Sequence, residues 1–148
     1  MSVLPKAGSH AWALRALSIA MGVFLIFMGL DKIGWLMDGS ILTRRLLEWR
    51  GMARPFARWY IDTIALPGAP MFARLVPLAE LAAGTALMLG MRVRLAAALA
   101  LLMVINFHVA ADVMFRYDYL SNAYGPPVLG GLLALAIGGV RLPLSVST

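Results

Sequence analysis

The sequence predicts an all-α fold: a four-helix transmembrane bundle with an amphipathic helical insertion between helices 1 and 2. Three observations predict it. Hydrophobic residues make up 61% of the 148 positions and charged residues only 14%, far from the near-even apolar share and quarter charged share of soluble domains. Four apolar runs are bounded by charge, glycine or proline, and one crossing takes about 20 apolar residues. The alternation expected of barrel strands is missing, so the backbone must satisfy its hydrogen bonds in lipid as helix. The length fits one membrane domain, 1–148, and leaves no room for a second.

The first span covers about residues 12–30. Lys6 ahead of an apolar stretch imitates a signal peptide, but the stretch runs long and Asp31-Lys32 stands where a small-residue cleavage site would be. Residues 38–66 form the expected interfacial segment. There Leu42, Leu46, Trp49, Ala53, Phe56, Tyr60 and Ile64 share one helical stripe and Arg50, Arg54 and Arg58 another, the pattern of a helix lying in the interface plane. Pro55 should divide it into two short helices. Arg50, Arg54 and Arg58, with Trp49 and Trp59, are the expected lipid contacts, because arginine and tryptophan anchor at membrane interfaces; docking of a partner protein is the alternative use.

The second span covers about residues 72–90, the third 95–114 and the fourth 128–143. The fourth opens at Pro126-Pro127, where the missing amide hydrogens cost nothing in the first helical turn. Gly130, Ala134 and Gly138 recur along it, as do Ala79, Ala83 and Ala86 on the second span, and small residues let helices approach closely.

The net charge of +6 comes mostly from arginine and points to lipid headgroups rather than nucleic acid. Cysteine is absent, which excludes a disulfide framework, a thiolate metal site and a thiol relay. No nucleotide loop, nucleophile elbow or Cys/His cluster is present. One histidine with two carboxylates is too generic a spacing to assign a metal. His10 lies beyond the opposite end of the bundle from His108, so a bis-histidine haem is not expected.

Glu80 is the most informative residue, a carboxylate inside an apolar run. At the centre of a membrane helix such a group costs roughly 2.5–3.5 kcal/mol, so it is turned inward and given a partner. On antiparallel spans Glu80 and Asn106 are each eight residues from the loop-side end, about 12 Å deep at 1.5 Å per residue. His108 and Asp112 lie further out as an i, i+4 pair, and Asp31 and Lys32 rim the same half. The expected site is therefore an intramembrane polar pocket of Glu80, Asn106, His108 and Asp112, with Glu80 as a neutral-leaning carboxyl rather than half of a salt bridge. Arg15, in the other half, should snorkel outward.

Gly22, the run Phe27-Met28-Gly29-Leu30-Asp31-Lys32, Pro77 through Gly84 with Leu89-Gly90, Arg94, and Asn106-Phe107-His108 together resemble the DoxX family. The stretch Leu120 through Gly125 is similar to the polar loop seen after the third helix in many of its members. The resemblance covers essentially the whole chain and implies a multi-pass protein of a bacterial or archaeal inner membrane. Some relatives are membrane subunits of thiosulfate:quinone oxidoreductase; others are scaffolds for detoxifying enzymes. The expected function is accordingly a redox-linked or quinone-associated membrane subunit working with partner oxidoreductase subunits. The alternative is a non-catalytic scaffold that holds partners through the Arg50, Arg54, Arg58 face and the glycine-lined fourth span, and the third reading is a small-molecule transporter, which as a single unit without inverted repeats would have to form a homo-oligomer.

Overall fold

The computed structural model describes residues 8–114 and 116–146; Lys6 lies outside them. The described residues contain helices and no strand. They form α1 (Ser9–Asp31), a 3-10 turn (Ile33–Leu36), α2 (Ser40–Met52), α3 (Pro55–Tyr60), a π turn (Ile61–Ala65), α4 (Leu66–Leu89), α5 (Val93–Ala110), α6 (Tyr117–Leu120) and α7 (Pro126–Gly138). Three stretches, Ser9–Asp31, Pro55–Leu89 and Val93–Ala110, are long and apolar enough to cross a membrane, and α7 is a shorter apolar helix. The helices touch in the order α1, α4, α5, α7 and back to α1, around a core that includes Leu25, Leu87, Ala97, Ala100, Leu132 and Leu135.

The closest approach is between α1 and α4. A Cβ on Gly84 would lie 2.8 Å from the Gly22 carbonyl oxygen and 2.9 Å from the Ile26 amide, and one on Gly29 would lie 3.0 Å from the Pro77 carbonyl oxygen. Backbone meets backbone there, so only glycine fits. The small residues of α7 do not play this part. A Cβ on Gly130 would meet nothing within 4 Å, Ala134 is exposed, and α7 buries Val128, Leu132 and Leu135 instead. Its branched side chains fill the gap that close approach would have closed.

Arg15 is buried, not snorkelled outward. The α4 helix ends in a Schellman turn on Gly90 (φ 75), with the Met91 amide bonded to the Ala86 carbonyl and the Gly90 amide to that of Leu87. Arg15 donates to the Leu87 and Met88 carbonyls at 3.1 and 2.7 Å, and the Ser18 hydroxyl donates to Leu87 at 2.7 Å. The negative end of the α4 dipole takes the place of a carboxylate partner.

Pro55 does separate two helices: Arg54 is extended (φ −67, ψ 162) and Pro55 opens α3 at its first turn. The chain then runs on through the π turn into α4, so the apolar stretch begins at Pro55 rather than near residue 72. The break also resets the helical phase. Before it Leu42 and Leu46 are buried; after it Ala57, Ile61, Ala65, Ala69 and Ala73 are buried, while Phe56 and Ile64 are exposed. A strict four-residue repeat drifts around a helix of 3.6 residues per turn. The wider π turn, in which the Leu66 amide reaches back to the Ile61 carbonyl, takes up part of that drift and keeps these residues on one face.

Replacing Gly84 by alanine should push α1 and α4 apart and cost about 1–3 kcal/mol. The same change at Gly130 should be neutral. Thermal unfolding of the two variants in detergent checks the difference, and equal effects would contradict the packing described.

Candidate functional site

The four residues expected to share one pocket stand in four separate pairings. Glu80 faces Lys32, whose ammonium lies 3.0 Å from both carboxylate oxygens and also donates to the Met28 carbonyl at 2.9 Å. Both side chains are enclosed, 14% and 5% exposed. Glu80 is thus half of a salt bridge, contrary to the expectation of a neutral-leaning group beside Asn106. Lys32, placed at the rim by its position in sequence, follows the last helical residue of α1 and bends back into the bundle. Its ammonium also approaches the rings of Phe107 and Trp35, at 5.7 and 6.0 Å from their centres. Asp31, the other rim residue, is exposed.

Asn106 accepts a hydrogen bond from the Tyr60 hydroxyl, which α3 brings across from the far side of the loop. His108 points elsewhere, with its Nδ1 3.0 Å from the Tyr119 hydroxyl and the two rings edge to face, 5.0 Å between centres. The reason is angular. Residues two apart on a helix point to nearly opposite faces, so matched depth could not place Asn106 and His108 on one wall.

Asp112 does not orient His108 either, because α5 ends at Ala110. Asp112 occupies the left-handed region (φ 53) just past the helix cap. Its amide bonds to the Val109 carbonyl and that of Val113 to His108, a Schellman turn made without glycine. The carboxylate, 8% exposed and outside the spanning segments, accepts the Arg54 amide and Nε at 3.0 Å and Arg116 Nη2 at 2.8 Å. These partners, the Arg54 side chain foremost, hold the Asp112 carboxyl well below the usual carboxylate range.

The arginine stripe is likewise taken up within the chain. Arg50 pairs with Asp62, Nη2 to Oδ2 at 3.0 Å, Arg54 with Asp112, and Arg58 donates to the Ala53 carbonyl at 3.2 Å. Pro55 places these arginines on different elements, so the single face read from their spacing does not form. Trp59 is exposed and stands against Phe56, 6.0 Å between ring centres, facing the surroundings. Trp49 packs against the second core and turns inward.

The inward turn of Trp49 helps to build a cleft of about 260 Å³ at the loop-side end of α5. Trp49, Phe107, His108, Tyr119, Asn122 and Tyr124 line it. Aromatic faces make its walls, and the imidazole, a phenol and an amide supply its hydrogen-bonding groups. Tyr119, Asn122 and Tyr124 were not among the expected site residues, although the last two lie in the polar loop noted in the sequence. Phe107 belongs both to this cleft and to the surroundings of Lys32.

A double-mutant cycle on Lys32→Met and Glu80→Gln should return a coupling of about 1–3 kcal/mol. Lys32→Met alone, which strands a buried carboxylate, should cost roughly 3–5 kcal/mol. Asn106→Ala should leave that coupling unchanged; a coupling that vanished with Asn106→Ala would restore the shared pocket. Asp112 gives a pH signature. Its carboxyl is depressed in the fold, so its contribution is present above the unfolded value of 3.8 and is lost as pH falls below it. Asp112→Asn should remove about 1.5–3 kcal/mol at neutral pH and flatten the acid-side loss in a pH series of unfolding midpoints.

The family model of DoxX matches residues 13–112, a stretch that holds the three long apolar helices but for the first turn of α1, with Lys32, Glu80, Asn106, His108 and Asp112. Comparison with curated proteins and with solved structures gave no match. With the match running over well beyond half of its length, this multi-pass membrane chain belongs to the DoxX family.

Proposed function

We propose that the chain is a quinone-associated membrane subunit of an oxidoreductase system, built as a four-helix bundle in a bacterial or archaeal inner membrane. The observation that carries this reading is the His108–Tyr119 pair set in an aromatic cleft where α5 leaves the bundle. The groups present fit a flat ring bearing carbonyl oxygens. Phe107, Tyr124 and Trp49 offer ring faces for stacking, and Tyr119, His108 and Asn122 offer donors. A quinone takes up two electrons and two protons when reduced. Here the chain's own share is to bind and orient the ring, to shield it from water, and to hold a proton between the imidazole and the phenol. With no cysteine in the sequence, a thiol relay is not the electron source, and the electrons are assigned to a partner oxidoreductase subunit.

The scaffold reading has less to stand on at the arginines, which bond within the chain, and keeps the exposed face of α7 at Gly130 and Ala134. The transporter reading has no feature of its own among the described residues.

Purified protein should bind a ubiquinone or menaquinone analogue, measured by quenching of tryptophan fluorescence. His108→Ala and Tyr119→Phe should each weaken binding about tenfold, the loss of one hydrogen bond to a buried group. Glu80→Gln, away from the cleft, should leave affinity unchanged once folding is verified. Absence of quinone binding by the wild type, or wild-type affinity in both cleft variants, overturns the reading.

A further inference from the structure

The formal charge is unevenly divided between the two ends of the molecule. All seven carboxylates, Asp31, Asp38, Glu48, Asp62, Glu80, Asp112 and Asp118, belong to the loop-side half. Four of them, Asp38, Asp62, Glu80 and Asp112, meet arginine or lysine in the five ion pairs of the described residues. The opposite end carries Arg15, Arg92, Arg94 and Arg141 with no carboxylate side chain. Arg15 gives its terminal nitrogens to the Leu87, Met88 and Leu144 carbonyls. The other three line a cavity of about 780 Å³ between the α4–α5 turn, the end of α7 and the segment that follows it.

Within this cavity Arg94 gives its Nε to the Ala136 carbonyl at 3.0 Å, leaving its terminal nitrogens available. Arg92 and Arg141 make no side-chain hydrogen bond among the described residues. Both hold backbone angles that L residues seldom adopt, φ 42 and φ 50, a cost of order 1–3 kcal/mol each that persists only where the surroundings impose it. The Ser145 hydroxyl, also in the wall, is buried without a partner among the described residues. Three arginines line one space, and among the described residues no carboxylate stands in its wall. Around it Leu95, Val140 and Val146 are exposed, so the site has an apolar skirt at a helix-end level.

We propose that this cavity binds the phosphate of an anionic phospholipid, with Arg92, Arg94 and Arg141 on the phosphate and the acyl chains lying along Leu95 and Val140. Positive charge complements the headgroup, and the apolar skirt complements the chains; a soluble anion would use only the first.

Native mass spectrometry of the full chain released from detergent, incubated with phosphatidylglycerol or phosphatidylcholine of matched chains, tests this. Phosphatidylglycerol should be retained at least fivefold better. The substitutions Arg92→Asn and Arg141→Asn keep a residue that tolerates the left-handed backbone and should each reduce retention about fivefold. Arg45→Gln, on the acid-bearing half, should leave it intact. Inorganic phosphate at tens of millimolar should not displace the lipid. Equal retention of the two lipids, retention unchanged in the double variant, or full displacement by inorganic phosphate would each overturn the proposal, and the first and last comparisons need only the wild-type chain.

Discussion

The pairing of α1 with α4 is the constraint on which the other elements depend. Its two backbones touch at Gly22 and Gly84 and again at Gly29 and Pro77, and each end is closed by a cation that bends inward. At one end Arg15 reaches the last carbonyls of α4; at the other Lys32 reaches Glu80. Snorkelling would have carried both heads to water. Turned inward, each trades hydration for a fixed partner, and the register between the helices follows. The Gly90 turn that launches α5 sits directly on the capped end of α4.

The two closures use different physics. A helix C-terminus presents about half a negative charge spread over several carbonyls, so Arg15 needs no carboxylate, and none of the described residues gives it one. Lys32 lies beyond the end of its own helix and meets the side of α4, where the Glu80 carboxylate takes its charge while the Met28 carbonyl accepts a further hydrogen bond. Asp62 and Asp112 likewise meet arginines in the loop-side half, at the flanks of helices and the joints between them.

Much of this architecture is legible in the sequence, and the parts that are not share a cause. Span-length apolar runs, the helix break at Pro55 and the inward carboxylate at Glu80 follow from composition, proline chemistry and the cost of charge in lipid. Depth along a helix is also readable, since it needs only a count of residues. Azimuth is not. Asn106 and His108 lie at neighbouring depths on opposing faces, and the arginines at 50, 54 and 58 lose their common face at the proline that the sequence itself displays. Lys32 escapes for a related reason: a count places its Cα at the rim, but a long flexible stem sets where the charge ends up. Tyr60 and Tyr119, the partners of Asn106 and His108, come from segments whose return path no periodicity records.

Asp112 shows how the cleft depends on elements outside the spans. Ending α5 at this point demands a residue in the left-handed region, for which glycine is the usual choice. Aspartate tolerates that backbone less well but adds a carboxylate, and here the carboxylate ties together the α2–α3 joint through Arg54 and the entry to α6 through Arg116. Arg116 is the residue on which α6 begins, and α6 carries Tyr119 onto His108. Glycine would make the same turn with less strain and leave α6 without this tether. The wall that Tyr119 gives the cleft is thus held by the interfacial cap rather than by the spanning helices, which couples the docking of α2 and α3 to the shape of the site.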